Sequence, residues 1–524
     1  MRATALARRA TTAARASTLG VRVPERPDRL LRALAAMAPY GGGLLGGIAA
    51  AAARYPHADA LRTPTGSLTY AELWHQSGLL ARAVADTGVR PEEPVGLLAR
   101  NGTFFVTGLL AVARLGADVV LLNTAMAGPQ LAEVVAAEGV RLVLHDDELT
   151  ASALACGAVV WSATWCAEAA GTAEREMGRP ARTGEIIVLT SGTTGRPRGA
   201  RRPSDGRRTV TSARGFAATL PWRVRQPVAV PAPFFHAWGL AGLLISLSLS
   251  CTVVTRPQFH AEELLLDLSG HDVELLIAVP VMLQRILELP PEVLASHDLG
   301  ALRGVVSSGS ALPPHVVLGL QRRLGPVLFN VYGSTEVAVS TIARPRDLMS
   351  DPARAGRPAP GVQVRVLDGD NAPITAPGVT GRVFVGSSMA FRGYTAGEGK
   401  EQVAGLVSTG DLGHWDARRH LVLDGREDDM IVSGGENVYP IEVEQLLACH
   451  PDVVDVAVAG RPDRDFGQAL HAWVVLRPGT SSTSEDLRAY VRTRLAGYKV
   501  PRHVSVLDAL PRTASGKLIT RSLT

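Results

Sequence analysis

From Ile186 to Gly199 the chain reads Ile-Ile-Val-Leu-Thr-Ser-Gly-Thr-Thr-Gly-Arg-Pro-Arg-Gly. Four β-prone apolar residues that run into small hydroxyl residues and glycine predict a buried strand ending in a loop. The backbone N–H groups and hydroxyls of such a loop suit phosphate, and Arg198 adds positive charge. A solvated linker is the alternative for this composition alone. The Walker A pattern is absent, and no Gly-x-Gly-x-x-Gly fingerprint follows this strand.

The composition predicts a globular protein of more than one domain, because 524 residues with 46% hydrophobic content can bury a large core. The net charge of +5 is modest for this length and suits an anionic ligand. We expect no nucleic-acid partner, because zinc-finger spacing and aromatic-plus-basic signatures are missing. The cysteines are scattered without a Cys-x-x-Cys pair, so we expect neither a zinc site nor a disulfide framework, and a cytoplasmic location.

The N-terminal segment is rich in Arg, Ala and Thr and has no acidic residue before Glu25. Its composition resembles that of a transit peptide, but we predict an extended or weakly ordered tail over residues 1–44. The uncharged run at residues 33–53 is interrupted by Pro39 and several glycines. We therefore expect no integral membrane span.

The N-terminal half alternates strand and helix patterns. Thr69 and Glu72 have capping-box spacing at the start of a helix, and apolar runs at 95–99, 118–123 and 140–145 read as short strands. Such alternation predicts an α/β fold in which crossover helices cover parallel-rich sheets. Ligands bind such sheets where the strands end in loops.

The pattern changes after about residue 345, where short alternating strands and frequent Gly and Pro predict a small β-barrel subdomain over residues 345–425. The last hundred or so residues predict a compact α+β module. We therefore predict a large N-terminal domain over residues 45–425 and a small mobile C-terminal domain over residues 426–524.

Three further stretches place chemistry-bearing residues after predicted strands. His236 lies in an aromatic cluster, where a lone histidine is more often a packed core residue than part of a site. Small residues follow the next strand at Gly309, Ser310 and Ala311. A third strand, predicted at residues 326–331, is followed by a segment with the parts to stack a base and hold Mg²⁺, although a solvated turn is the alternative; it comprises Tyr332, Gly333, Ser334, Thr335 and Glu336.

Taken together, these stretches resemble the adenylate-forming superfamily of acyl-CoA synthetases, luciferases and peptide-synthetase adenylation domains. The resemblance covers roughly residues 45–524 and looks most like bacterial fatty-acyl-CoA synthetases. It rests on motifs in the family's order, which are residues 190–199, 233–239, 332–336, 408–411, 425–444 and 510–517.

The resemblance implies a reaction in two halves. A small-molecule carboxylic acid attacks the α-phosphorus of Mg·ATP to give acyl-AMP and pyrophosphate, and the thiol of coenzyme A then displaces AMP. Such chemistry needs charge neutralisation and in-line positioning more than a protein nucleophile. The cofactors implied are therefore ATP, Mg²⁺ and coenzyme A.

The resemblance also assigns roles to individual residues. Tyr332 would stack on adenine within the segment that includes Gly333 and Ser334, with Gly309, Ser310 and Ala311 on the ring's other side. Thr335 would touch the α-phosphate, Glu336 would hold Mg²⁺, and Asp411 and Arg426 would bind the ribose. The departing phosphates would lie on Thr190, Ser191, Gly192, Thr193, Thr194, Gly195 and Arg198.

The remaining roles concern the acid, coenzyme A and movement of the C-terminal domain. By resemblance His236 would sit beside the acyl carboxylate, and Lys517 would bridge that carboxylate and the α-phosphate. The C-terminal domain would then swing about a hinge at Asp428. Its other face would present Ser433, Gly434, Gly435 and Glu436 to the pantetheine tunnel.

One departure from the family pattern is Arg198, which stands where the family usually has Lys. A guanidinium keeps the charge but is bulkier and forks its donors. One alternative is therefore a non-adenylating ligase that receives acyl-AMP from a separate adenylating enzyme. Others are an adenylation enzyme loading a carrier protein, and an aryl-acid ligase.

A catalytically silent relative or a basic nucleic-acid binder is disfavoured, because Glu336, Asp411, Arg426 and Lys517 are all retained. Gly239 and Gly309 are small and the expected acyl-pocket segments carry no charge, so we expect a hydrophobic acid. Medium- or long-chain fatty acids and bulky acids of secondary metabolism both fit. A homodimer is expected from relatives alone.

Overall fold

The structure is a computed structural model, and it describes residues 27–191, 197–201, 215–391, 393–395, 399–427, 431–433, 436–463, 467–495, 497–513, 518–519 and 523. The chain divides into two compact units. The first unit consists of Met1–Ala278, Pro290–Val306 and Ser388–Gly399, and the second of Val279–Leu289, Ser307–Ser387 and Lys400–Thr524. Each unit is described by itself.

The strands up to the middle of the chain are β1 (Asp59–Thr63), β2 (Gly66–Thr69), β3 (Val95–Leu98), β4 (Val119–Leu121), β5 (Leu142–His145), β6 (Val159–Ser162), β7 (Ile186–Ser191), β8 (Pro197–Arg201), β9 (Pro227–Ala229), β10 (Thr252–Val254), β11 (Leu275–Ala278), β12 (Gly304–Ser307) and β13 (Leu328–Ser334). Those that follow are β14 (Ala338–Ala343), β15 (Arg354–Pro358), β16 (Gln363–Leu367), β17 (Gly381–Gly386), β18 (Gly393–Tyr394), β19 (Gln402–Val403), β20 (Leu406–Trp415), β21 (Leu421–Arg426), β22 (Ile431–Ser433), β23 (Glu436–Val438), β24 (Val453–Asp463), β25 (Gly467–Leu476) and β26 (His503–Val506).

The α-helices lie mostly between strands of the first unit. They are Pro27–Met37, Leu44–Arg54, Tyr70–Asp86, Thr103–Leu115, Gly128–Ala137, Thr150–Leu154, Ala163–Gly171, Ala237–Ser248, Ala261–Gly270, Pro280–Leu287, Pro291–Ala295, Pro314–Leu324, Pro345–Ser350, Pro440–Ala448 and Ser484–Arg492. Among the residues described, no helix has both the length and the apolar character needed to cross a membrane.

The first unit contains a seven-stranded sheet in the order β18-β8-β7-β4-β3-β5-β6. β4, β3, β5 and β6 pair in parallel, as does β7 with β4. Every residue of β3, β4 and β5 is buried, as expected for strands covered on both faces. The predicted parallel sheet with crossover helices is therefore confirmed.

A second sheet of the first unit has β2, β1, β10, β9, β11 and β12 as successive neighbours. β9 lies parallel to both β10 and β11. The segment that follows β9 leads to the helix Ala237–Ser248, so the predicted His236 motif lies at the carboxyl end of a parallel strand, where such sheets form their sites.

The second unit is rich in antiparallel pairs. Its strands include the path β16-β17-β20-β21-β15-β14-β13, in agreement with the short alternating strands predicted after residue 345. A separate five-stranded sheet of β22 to β26 packs against the helices Pro440–Ala448 and Ser484–Arg492 through one apolar cluster that includes Val443, Leu470 and Leu487. This sheet forms the small C-terminal α+β module, so the predicted mixed α/β fold is confirmed.

One prediction of local structure differs from the structure and one agrees. Residues 27–37 form a helix inside the segment that we expected to be an extended tail, and residues 1–26 lie outside the described part. Leu44 begins a second helix, and its buried Ile48 and Ala49 explain the uncharged run. The capping box of Thr69 and Glu72 is present with both reciprocal hydrogen bonds, as predicted.

Gly239 requires a different explanation from the one the sequence suggested. We attributed its small size to room in an acyl pocket, but a Cβ built there would lie 2.2 Å from the Pro233 carbonyl oxygen. The start of the helix Ala237–Ser248 thus packs directly on the backbone of the preceding segment. Gly309 likewise has a φ of +98°, a conformation that favours glycine irrespective of available space.

We expect Gly239→Ala to destabilise the protein by about 1–3 kcal/mol, because the added methyl group meets backbone that cannot move aside cheaply. The measurement is the midpoint of thermal unfolding.

The matched control is Gly270→Ala, since Gly270 is also helical and a Cβ there meets nothing within 4 Å. That variant should unfold at the wild-type temperature or slightly above it. Wild-type stability of Gly239→Ala combined with an altered acid preference would instead restore the pocket explanation.

Candidate functional site

The predicted phosphate loop joins two strands of the seven-stranded sheet. β7 and β8 are antiparallel, with Thr190 opposite Arg198 and Ser191 opposite Pro197. The predicted strand before the loop is confirmed, but Pro197, Arg198 and Gly199 belong to a returning strand rather than to the loop itself. β7 is anchored in parallel on β4, so the loop leaves the carboxyl end of a central strand.

The side chains of Glu138 and Ile187 pack closely against one side of Gly199. A Cβ at this position would lie 2.5 Å from the Glu138 carboxylate and 2.8 Å from the Ile187 side chain. The Gly199 carbonyl accepts a hydrogen bond of 2.9 Å from the Thr395 N–H, and the Thr395 hydroxyl donates to Glu138 at 2.7 Å. The base of the hairpin is thus fixed by residues remote in the chain.

Tyr332 lies inside β13 rather than after a strand, which corrects our prediction that residues 332–334 form a loop. The pairing of β13 with β14 shifts register between Tyr332 and Gly333. At this bulge a Cβ on Gly333 would lie 1.8 Å from the Ala338 carbonyl oxygen, and Ala338 itself has a φ of 62°. The bulge therefore requires glycine at position 333.

Tyr332, Asp411 and Arg426 form one hydrogen-bonded cluster within the second unit. The Tyr332 hydroxyl donates to Asp411 Oδ2 at 2.5 Å, and Arg426 Nη1 lies 3.5 Å from Asp411 Oδ1. Burial, followed by the Asp411 charge, raises the pKa of Tyr332 well above its usual value, so the hydroxyl stays a donor. The structure thus brings together three residues separated widely in sequence.

The backbone around Asp411 is fixed by its own neighbours. Asp411 stands opposite Arg426 in the pairing of β20 with β21. The Thr409 hydroxyl accepts from the Asp411 N–H at 3.1 Å and donates to the Val383 carbonyl at 3.0 Å. Gly410 has a φ of +75°, and a Cβ built on it would lie 3.2 Å from Arg426 Nη2. Asp411 is consequently presented in one orientation.

Thr335 and Glu336 occupy the turn that connects β13 to β14, and both are half-buried. The Glu336 N–H donates to the Ser334 hydroxyl at 3.3 Å. Among the described residues no three His, Cys, Asp or Glu side chains converge to hold a metal ion. A single carboxylate nevertheless fits Mg²⁺, which usually binds one or two protein carboxylates together with substrate phosphates and water.

Gly309, Ser310 and Ala311 follow β12 in an irregular, exposed segment, as predicted. The positive φ of Gly309 turns the chain at the end of the strand. Exposed backbone with small side chains lets a flat group approach closely.

His236 caps the helix Ala237–Ser248 with an extended backbone. Burial lowers the pKa of its imidazole to about 4, so the ring is neutral at neutral pH. Its Nε2 atom is buried and has no hydrogen-bond partner among the residues that the structure describes. A buried ring nitrogen without a hydrogen-bond partner costs free energy unless a ligand pairs with it. His236 is therefore a better candidate for a ligand contact than an ordinary core histidine.

The segment before His236 has an anchor that sequence reasoning missed. Asn101 Oδ1 accepts from the Phe234 N–H at 2.7 Å, and Asn101 Nδ2 donates to the Ala232 carbonyl at 3.0 Å. In the sequence Asn101 precedes a glycine and a helix, a pattern that indicates a turn or cap. No local signal shows that its partners lie about 130 residues away.

Several predicted site residues lie outside the described part of the chain, namely residues 192–195, Asp428, Gly434, Gly435 and Lys517. For Thr190, Ser191, Arg198, Ser433 and Glu436 the structure describes only the backbone. Ser433 and Glu436 are partners in the antiparallel pairing of β22 with β23.

The lowered pKa of His236 predicts a pH-dependent loss of stability. The unfolded imidazole takes up a proton near pH 6.5, whereas the native one does so only near pH 4. The unfolded state therefore binds more protons between these values, and stability falls as the pH drops through that window. Between pH 7 and pH 5 the free energy of unfolding of the wild type should fall by about 2 kcal/mol, whereas that of His236→Gln should not show this loss. Denaturant unfolding at the two pH values measures both.

His57→Gln is the matched control, because the His57 side chain is exposed. This variant should follow the wild-type dependence on pH. A His236→Gln variant that loses as much stability as the wild type would contradict the burial of a neutral imidazole.

Comparison with known proteins adds two family matches. The profile of the AMP-binding enzyme family matches residues 48–395, and that of the AMP-binding enzyme C-terminal domain matches residues 442–517. The matched ranges contain the phosphate hairpin, His236 and the Tyr332–Glu336 segment in the first case, and most of the C-terminal module in the second.

The chain is also similar to named enzymes along most of its length. It is 32% identical to the indoleacetate–CoA ligase of Aromatoleum aromaticum, covering 88% of this chain and 94% of that protein. It is 33% identical to a feruloyl-CoA synthase of Amycolatopsis sp., covering 88% and 95%.

Among solved structures, the o-succinylbenzoate CoA synthetase of Bacillus subtilis in complex with its acyl-adenylate intermediate superposes with a TM-score of 0.81. The two chains are 28% identical, and the alignment covers 91% of this chain and 97% of that one. The chain therefore belongs to the AMP-binding enzyme family, within the adenylate-forming superfamily that its motifs predicted.

Proposed function

We propose that the protein converts a hydrophobic carboxylic acid to its coenzyme A thioester through an acyl-AMP intermediate. The observation that carries this proposal is the cluster of Tyr332, Asp411 and Arg426. The turn with Thr335 and Glu336 follows Tyr332 in the chain. This arrangement offers an aromatic ring, a ribose-binding carboxylate, a cation and a metal-binding carboxylate in one unit.

The chemistry of the first half-reaction follows from what these side chains supply. An ionised carboxylate can accept hydrogen bonds from both ribose hydroxyls, a role that we assign to Asp411, while Tyr332 would offer its ring to the adenine. Glu336 would hold Mg²⁺, which neutralises charge on the phosphates when bound. The hydroxyls and N–H groups of the 190–195 loop would receive the departing pyrophosphate, with Thr335 against the α-phosphate.

We assign the contact with the acyl carboxylate to His236, as the resemblance implies. Its imidazole is neutral, and its Nε2 atom has no hydrogen-bond partner within the described part of the chain, so it can donate a hydrogen bond to a carboxylate without adding a charge. A neutral donor orients the carboxylate for attack on phosphorus but does not hold it as strongly as a cation would. We assign the charge-bearing contact to Lys517, as the family pattern implies.

We propose that the two half-reactions use the domains expected from the sequence, a domain at residues 45–425 and a mobile domain at residues 426–524 that would swing about Asp428. Lys517 would serve the first half-reaction only. The hairpin of β22 and β23 would then present Ser433, Gly434, Gly435 and Glu436 to the pantetheine arm of coenzyme A. One small domain would thereby complete two active sites in turn.

The acid is proposed as a class. The relatives named above act, by their names, on indoleacetate and ferulate, which are aromatic acids. These names move our preference from a fatty acid toward a planar or bulky acid of the kind that we considered as an alternative. We keep fatty acids within the proposed range, because the helix Ala237–Ser248 beside His236 is mostly apolar and carries no charged residue.

Arg198 supports one alternative, a ligase that takes acyl-AMP from a separate adenylating enzyme. Its backbone lies opposite Thr190 in the antiparallel pairing of β7 with β8. Arginine is a competent phosphate partner, so we propose that ATP-dependent adenylation is retained. Transfer to a carrier protein, a homodimer and a cytoplasmic location remain predictions.

The proposal predicts acid-dependent exchange of pyrophosphate into ATP and a coenzyme A thioester from the same acid. We would screen aromatic, polycyclic and C8–C18 acids, scoring exchange and thioester separately. At least one acid should give both products with wild-type protein.

Lys517→Ala separates the halves in this screen. It should abolish exchange while thioester formation from supplied acyl-AMP continues at near the wild-type rate. Thioester from acyl-AMP without exchange in the wild type would favour the non-adenylating alternative, and activity only with a carrier protein would exclude free coenzyme A as acceptor.

Tyr332→Phe should raise the KM for ATP roughly fivefold to tenfold, because it keeps the ring but removes the hydrogen bond that orients Asp411, worth about 1–1.5 kcal/mol. The KM for the acid should stay within twofold. Steady-state exchange kinetics measure both constants, and an unchanged KM for ATP would show that the hydroxyl does not orient the ribose carboxylate.

A further inference from the structure

Asn101 is the polar residue on which the segment before His236 depends. This residue follows β3 and precedes the helix Thr103–Leu115, and it is 5% exposed. Its amide nitrogen donates to the carbonyls of Val230 and Ala232 at 3.2 and 3.0 Å, and its amide oxygen accepts from the Phe234 N–H at 2.7 Å. Both ends of the amide are therefore used.

The segment needs such a partner because it has no regular hydrogen bonding of its own. β9 ends at Ala229 and the next helix begins at Ala237, so the backbone between them is irregular. Val230, Ala232 and Phe234 are fully buried, and buried backbone groups without partners cost about 1–3 kcal/mol each. Asn101 satisfies three of these groups at once.

A second contact makes the attachment rigid. The Thr255 hydroxyl accepts from Asn101 Nδ2 at 3.2 Å and donates to the Val230 carbonyl at 2.8 Å, so it links both residues. The rings of Phe105 and Phe234 also pack 5.4 Å apart, which ties the same segment to the helix after Asn101. The segment is consequently fixed to β3 and its following helix.

His236 is the next feature along this segment. Its N–H donates to the Pro233 carbonyl at 3.1 Å, and its own carbonyl accepts from the Leu240 N–H at 2.9 Å. The position of the imidazole is thus set by the helix on one side and by residues 230–234 on the other. We propose that Asn101 is a positioning residue, which holds the His236 imidazole where it can contact the acyl carboxylate.

This inference rests on the proposed function for its kinetic consequence. Because Asn101 acts through the His236 segment of the first unit, its loss should affect the acid and spare the nucleotide site around Tyr332 and Asp411. Loss of a residue that only stabilised the fold would instead weaken the binding of the acid and of ATP to the same extent.

The kinetic test is a double-mutant cycle of Asn101→Ala and His236→Ala, with exchange of pyrophosphate measured over ranges of acid and ATP. Asn101→Ala should raise the KM for the acid about tenfold, equivalent to about 1.4 kcal/mol, and change the KM for ATP less than twofold. In the His236→Ala background the added effect on the acid should fall below twofold. Independent effects of the two substitutions, or equal changes for both substrates, would overturn the inference.

Tyr70→Phe is the matched control for general destabilisation. The Tyr70 hydroxyl is buried and donates to the carbonyls of Leu247 and Cys251, at the far end of the helix that His236 begins. This variant should lower the unfolding temperature and leave the KM for the acid unchanged. Thr255→Val is the milder variant, for use where Asn101→Ala fails to fold, and should raise the KM for the acid by twofold to threefold.

A readout independent of activity separates this inference from the proposed function. In Asn101→Ala the segment should become looser and His236 more exposed to solvent. The difference in the free energy of unfolding between pH 7 and pH 5 should therefore shrink toward that of His236→Gln. If no acid supports exchange, the proposed function fails, while this comparison still decides on Asn101. An unchanged pH dependence in folded Asn101→Ala would refute the positioning role.

Discussion

The hydrogen bond between the Tyr332 hydroxyl and the Asp411 carboxylate joins two strands that are not neighbours in their sheet. β13 and β20 are separated along the strand order by β14, β15 and β21. A side chain must therefore reach across the curvature of the sheet to make this contact. Burial keeps the Tyr332 phenol protonated, so its hydroxyl remains a hydrogen-bond donor to the Asp411 carboxylate. The other oxygen of that carboxylate lies toward Arg426. The nucleotide side of the proposed site depends on this arrangement.

The same physical requirement recurs wherever the chain leaves regular structure. Buried backbone groups in irregular segments need partners, and in this protein the partners come from distant parts of the sequence. Asn101 serves the segment before His236, and Thr395 serves the base of the phosphate hairpin. Both segments are thereby held in place by residues far away in the sequence.

The sequence was sufficient for the parts that depend on local pattern. The apolar run before Thr190 predicted β7, the spacing of Thr69 and Glu72 predicted a capped helix, and strand–helix alternation predicted the parallel sheet. The placement of Tyr332 within β13 was missed, because a glycine and two hydroxyl residues suggest a loop when the bulge that accommodates them is unknown. Gly239 was misinterpreted for a related reason, since a close backbone approach leaves no mark in composition. Asn101 was missed because its partners are remote.

The short strand β18 has a consequence for solubility. Without β18, β8 would stand at the border of the seven-stranded sheet, with its N–H and C=O groups unpaired on one side. β18 pairs with it through Gly393 and Tyr394, with Tyr394 opposite Ala200. An exposed border strand can recruit a strand from another molecule, and two residues are too few to offer a new template. The pairing therefore shields a glycine-rich functional hairpin from intermolecular β-aggregation.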